Sequence, residues 1–243
     1  MFLALLSAVL LTTSCLNVNL GNHQGKKIKA SKTIVTKEMN PGAFDKLNVN
    51  VVAQVKFVQT EGEDCRVVLT APDNYVALFS IESKKGELDI EYVKDNINIE
   101  SKKVKIVVYG PQLTELENAG VAAVSADTLR CQSLKIDNSG VGEIHLRGLS
   151  ATALKVDCSG VGNITLEGQA EAAEMECSGV GSILASALKA RSVDAEVSGV
   201  GGIECFASEA ISGEVSGVGS LKYAGHPKSK NLNRSGVGSL SEM

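Results

Sequence analysis

The chain has 243 residues, with 24 Lys and Arg against 28 Asp and Glu, and a net charge of −4. This near balance does not suggest a nucleic-acid binder, which would normally show a basic stripe, so no nucleic-acid partner is expected. With no Trp, four Tyr and five Phe, the chain also offers few aromatic platforms for stacking a ligand.

Residues 1–14, MFLALLSAVLLTTS, carry no charge. The run is too short to cross a bilayer, which takes about 20 residues, and fits the apolar core of an export signal. It ends at Cys15 after the small residues Thr12, Thr13 and Ser14, which resembles the lipobox of bacterial lipoproteins. The resemblance implies lipidation of Cys15 and a membrane partner through that anchor. The absence of Lys or Arg ahead of the run departs from the usual pattern. Residues 1–15 therefore read as a signal segment, 16–31 as a polar tether and 32–243 as one β-helix domain. The expected location is the cell envelope, at the outer membrane, facing the periplasm or the surface.

The first half of the body reads as irregular β structure. Residues 47–52, 55–58, 65–69, 88–92 and 104–109 alternate or are β-branched, and 84–87 reads as a hairpin turn. Continuous β signal at short spacing predicts early coils or a strand cap on the same solenoid.

From about residue 113 to 243 the chain repeats. Ser-Gly-Val-Gly begins at Ser139, Ser159, Ser178, Ser198, Ser216 and Ser235, at spacings of 20, 19, 20, 18 and 19. A degenerate copy, Ala119-Gly120-Val121-Ala122, precedes them. Five places after each Ser lie aliphatic residues such as Ile144, Ile164 and Ile183; three places before lie Ile136, Val156 and Met175. Period-two flanks around a turn predict strand, turn, strand and return, hence an all-β parallel β-helix with rungs about 4.8 Å apart. The turn glycines are Gly140, Gly142, Gly160, Gly162, Gly179, Gly181, Gly199, Gly201, Gly217, Gly219, Gly236 and Gly238. They are expected to supply positive φ, with the turn valines forming an apolar ladder at one edge of the core. Gly213, in an inward column, reads as a weak spot.

The Phe44-x-x-Leu47-x-Val49 entry strand, the segment Val107-Val108-Tyr109-Gly110-Pro111, the export signal and the turn column together resemble the putative auto-transporter adhesin, head GIN domain family, over roughly residues 40–240. The resemblance implies a right-handed, pectin-lyase-like β-helix and a role in adhesion. It brings no catalytic residues.

Counting from each Ser exposes further columns. Two places before it, facing outward, are Glu117, Asp137, Asp157, Glu176, Glu196 and Glu214. Neighbouring carboxylates at about 4.8 Å repel by roughly 0.9 kcal/mol in water, so something must offset them. Lys135 and Lys155 stand two places further out in the early rungs, whereas Glu174 and Asp194 stand there later. Glu174, Glu176, Asp194 and Glu196 are the candidate calcium ligands, against the plainer reading of a solvated acidic face. No other cofactor is expected. Cys158 and Cys177 share an inward column on adjacent rungs and read as buried thiols. His145, beside Glu143 and Arg147, has no paired nucleophile and reads as a bystander. The leading expectation is a non-enzymatic envelope scaffold that binds a surface glycan or a protein. A polysaccharide-acting enzyme and a structural component that oligomerises through its β-helix ends are the alternatives.

Overall fold

The structure, a computed structural model, describes residues 27–100 and 103–243. The signal segment, Cys15 and the tether up to residue 26 lie outside the described residues. Residues 28–31 are held against the body. The Ile28 N–H donates to the Asn98 carbonyl at 2.8 Å, the Tyr75 hydroxyl donates to the Ile28 carbonyl at 2.7 Å, and Asn74 Nδ2 donates to the Lys29 carbonyl.

The first half contributes β1 (Ile34–Met39), β2 (Lys46–Val49), β3 (Val52–Gln59), β4 (Arg66–Pro72), the short helix α1 (Asp73–Val76), β5 (Phe79–Lys84), β6 (Glu87–Tyr92) and β7 (Lys105–Gly110). The predicted hairpin is present. β5 and β6 pair antiparallel across Lys85 and Gly86, both at positive φ, as a two-residue hairpin turn demands. β4 and β1 add antiparallel strands beyond β7. The solenoid is thus closed at this end by a change in strand direction.

The second half contributes β8 (Glu115–Asn118), β9 (Val121–Ala126), β10 (Leu129–Asn138), β11 (Val141–Cys158), β12 (Val161–Cys177), β13 (Val180–Val197), β14 (Val200–Val215), β15 (Ser220–Ala224), β16 (Ser229–Arg234) and β17 (Ser239–Glu242). Each of β11 to β14 runs from one Gly turn to the next and so travels round a whole coil. Adjacent coils pair parallel and in register: Ile144 meets Ile164, which meets Ile183, which meets Ile203. Variation in repeat length is absorbed on the far side, where register shifts fall between Leu146 and Leu149, Thr165 and Glu167, and Ala185 and Ala190. The Ser-Gly-Val-Gly side therefore keeps strict register.

The order of rungs does not follow the order of the chain. β2 and β3 lie between two later strand pairs, with β6 and β7 on one side and β8 and β9 on the other, all parallel. Where residues 47–52 read as one strand, the chain bends at Asn50 and Val51. This bend is a turn of the same column without glycine. The N–H groups of Ala119 and Gly120 donate to the Val49 carbonyl, and that of Val121 donates to the Val51 carbonyl.

The core is a stack of aliphatic columns in which Ile144, Ile164, Ile183 and Ile203 have no exposed surface. Each such side chain contributes about 1.5–3 kcal/mol by leaving water. Gly213 is not a weak spot. Leu221 and Leu232 already occupy the space that a Cβ would take there, so glycine makes room for its neighbours.

Candidate binding surface

The turns stack by hydrogen bonding to one another. The Gly160 N–H donates to the Asn138 carbonyl at 2.8 Å, and the Val161 N–H donates to the Gly140 carbonyl at 2.9 Å. Adjacent turns are so close that a Cβ on Gly160 would overlap the Gly140 carbonyl oxygen, and one on Gly162 the Gly142 carbonyl oxygen. Positive φ, expected at all twelve turn glycines, is confined to the second glycine of some turns, such as Gly162 at +136°. Close backbone approach is the requirement common to the column.

The turn valines are not at the edge of the core. Val121, Val141, Val161, Val180, Val200, Val218 and Val237 are 49–88% exposed. The alternation that turns the residues one and three places before each Ser inward turns the Val outward, two places after it. The ladder exists, but it faces water.

The inward column one place before each Ser is polar at one end and apolar at the other: Asn118, Asn138, Cys158, Cys177, Val197 and Val215, all buried. Asn118 Nδ2 donates to Asn138 Oδ1 at 2.8 Å. The Cys158 and Cys177 thiols donate to the carbonyls of Gly162 and Gly181 at 3.6 and 3.4 Å. The two cysteines are register neighbours, and the five described cysteines are free thiols. The neighbouring Cys177 thiol and burial push the Cys158 thiol up, and burial pushes Cys205 up to about 12. Cys158 and Cys205 are therefore packed thiols held in the protonated form.

In the acidic column the lysines attend to their own column. Lys135 Nζ donates to Glu115 at 2.8 Å, and Lys155 donates to Glu174. Two lysine hydrogen bonds, from Lys135 and Lys46, hold the Glu115 carboxyl low. Burial, then the adjacent Asp157, raises Asp137; burial, then Asp137, raises Glu117. A raised carboxyl binds its proton more tightly folded than unfolded. The stability it contributes is therefore present when it is protonated and is lost as pH rises through the raised value. Asp137→Asn is expected to stabilise the fold at pH 7 by about 0.5–1 kcal/mol and to do nothing at pH 3. Urea midpoints at the two pH values check this.

The calcium candidates are brought together only in pairs. Glu174 lies beside Asp194 and Glu176 beside Glu196 in register, and Glu174 is engaged by Lys155. Among the described residues no three His, Cys, Asp or Glu side chains converge on one point. His145 pairs with Glu167 at 3.0 Å between Nε2 and Oε1.

One feature of the surface lies outside the predicted columns. Six places before each Ser stand Ser133, Ala153, Ala172, Ser192, Ala210 and Ser229. They line a trough of about 500 Å³ that runs along the solenoid, with Lys155, Glu174 and Asp194 on its side. Counting back from each Ser finds it, as a column of small residues among large ones.

A solenoid of this kind, whose surface is organised as parallel columns, defines a β-helical repeat protein. The chain belongs to the putative auto-transporter adhesin, head GIN domain family, whose model matches residues 43–227. It is 33% identical to a putative adhesin from Bacteroides fragilis, with a TM-score of 0.86, over 90% of this chain and all of that one. A putative lipid binding protein from Parabacteroides distasonis, 19% identical, has a TM-score of 0.72 over 90% of this chain and all of that one. A putative adhesin from Parabacteroides merdae, 21% identical, has a TM-score of 0.64 over 89% of this chain and 99% of that one. At that identity the last two show the fold alone. No curated protein matches the chain.

Proposed function

We propose that the protein is a non-enzymatic, lipid-anchored envelope scaffold that binds an extended surface ligand, a glycan or a protein segment, along its solenoid. The carrying observation is the trough: small side chains repeat along it at strand spacing beside charged residues, which suits a chain-like ligand lying parallel to the axis. Membership in an adhesin family supports the same reading. Lipidation at Cys15 would tether it to the outer membrane.

Two measurements test this. Intact cells are treated with a protease and with a membrane-impermeant label; the protein is expected to be cleaved and labelled without permeabilisation. Protection until the outer membrane is opened would end the adhesin reading. Purified protein is then probed on a glycan array and on host cells, beside Ala172→Arg. Because Ala172 is exposed, the arginine fills the trough without entering the core. Binding is expected for the native protein and not for the variant; equal binding by both would remove the trough from the site.

A further inference from the structure

The valine ladder has no role in the core, and nothing in the backbone demands it. Seven of the ten exposed large hydrophobic residues among the described residues lie on this one line. None of the seven valines has positive φ, so the turn would accept a polar residue at each position.

We infer that the ladder is a lateral contact with a second copy of this chain, the two ladders meeting about a two-fold axis. The exposed area fits such a contact. Seven valines at 49–88% exposure present on the order of 600 Å² of apolar surface, at the top of what an ordinary monomer leaves in water. The exposed serines beside them, from Ser139 to Ser235, bring the strip near the roughly 800 Å² per partner of a standard interface.

The shape of the ladder fits it as well. Identical β-branched side chains stacked at strand spacing are the surface that interdigitates with its own copy into a dry seam. A two-fold contact is self-complementary by construction, because the same patch serves both sides.

The distribution of charge favours the same occupant. The four turn positions carry no charged residue on any of the seven rungs. The acidic column lies just beyond the serines, which disfavours an anionic lipid surface as the occupant. Between two copies the same acids repel weakly across the seam, and salt screens them. Association is therefore expected to tighten as salt rises.

Sedimentation equilibrium across a protein concentration series is the test, using Cys15→Ser protein, which carries no acyl chain, with and without Val161→Lys/Val200→Lys. Both valines are exposed, so the fold and its unfolding midpoint should be kept. The native protein is expected to dimerise, more tightly at 0.5 M than at 0.05 M salt, and the variant to bind itself roughly a hundredfold more weakly. Val180 is the fourth of the seven rungs and meets its own copy whichever way the partner runs. In a Cys65→Ser/Cys131→Ser background, which removes the two part-exposed thiols, Val180→Cys should therefore be joined into a dimer by a short bis-maleimide reagent that leaves the same background without it monomeric on a gel. A native protein that stays monomeric at every concentration overturns the inference, as does a dimer that survives the lysine pair. Monomers that co-sediment with phosphatidylcholine vesicles, and lose this with the lysine pair, would assign the ladder to lipid instead and equally overturn it.

Discussion

Gly162→Ala is expected to destabilise the protein by about 3 kcal/mol or more, while Val161→Ser, one residue away, costs within about 0.5 kcal/mol. The difference follows from where each side chain goes. A methyl group on Gly162 would point along the stack into the Gly142 carbonyl oxygen. That oxygen belongs to the backbone of the neighbouring rung and has no rotamer by which to move aside. Separating the turns would also stretch bonds such as Val161 N–H to the Gly140 carbonyl. The position already sits at a φ of +136°, so a side chain there is strained as well as obstructed. Val161 projects into water at 49% exposure and leaves the stack intact when changed. Urea denaturation of the two variants makes the comparison; a Gly162→Ala midpoint equal to that of the native protein would show that the turns are not packed this closely.

The second large effect belongs to the buried Asn pair. Asn138→Ala is expected to cost about 2–3 kcal/mol. It opens a cavity and removes the acceptor of the 2.8 Å bond from Asn118 Nδ2. Asn118 Oδ1 and Asn138 Nδ2 already lack partners, so the pair is only half satisfied in the native fold. Higher in the same column Val197 and Val215 fill the site without any polar group. The double variant Asn118→Val/Asn138→Val is therefore expected to return to within about 1 kcal/mol of native stability or to exceed it, because no orphaned polar atom remains. Chemical denaturation of the native, single and double proteins closes the cycle. If the double loses as much as the single, the polar pair is holding the rungs together.

Much of this was legible because stacking makes position equivalent to environment. Once the Ser of each turn fixed the count, Ile144, Ile164 and Ile183 had to share one column and Cys158 and Cys177 another. The outward turn of the valines was also within reach, since the alternation that buries Ile136 and Val156 carries through the turn. That the column is apolar does not by itself separate a core position from an exposed one. The trough was visible as small residues at one offset. Three features had no local signal. The turn at Asn50 and Val51 lacks the glycines, because its neighbour Gly120 supplies the clearance. Gly213 reads as a gap because what fills it, Leu221 across its own turn and Leu232 on the next rung, is a matter of side-chain packing. The engagement of Lys155 by Glu174 rather than by the acids two places nearer the turn depends on cross-rung geometry.

By itself, then, the sequence determined the repeat, its register and the set of columns, since a spacing of 18–20 residues with period-two flanks and paired glycines admits one stacking. Only the tertiary structure decided the order of the first rungs, with β2 and β3 held between β6–β7 and β8–β9. The strand 47–49 offers the same alternating edge to any parallel neighbour, and pairing across distant chain segments is settled by which edges the antiparallel cap leaves open. It also decided that the conspicuous valine column belongs to the surface, where its chemistry is available to a partner.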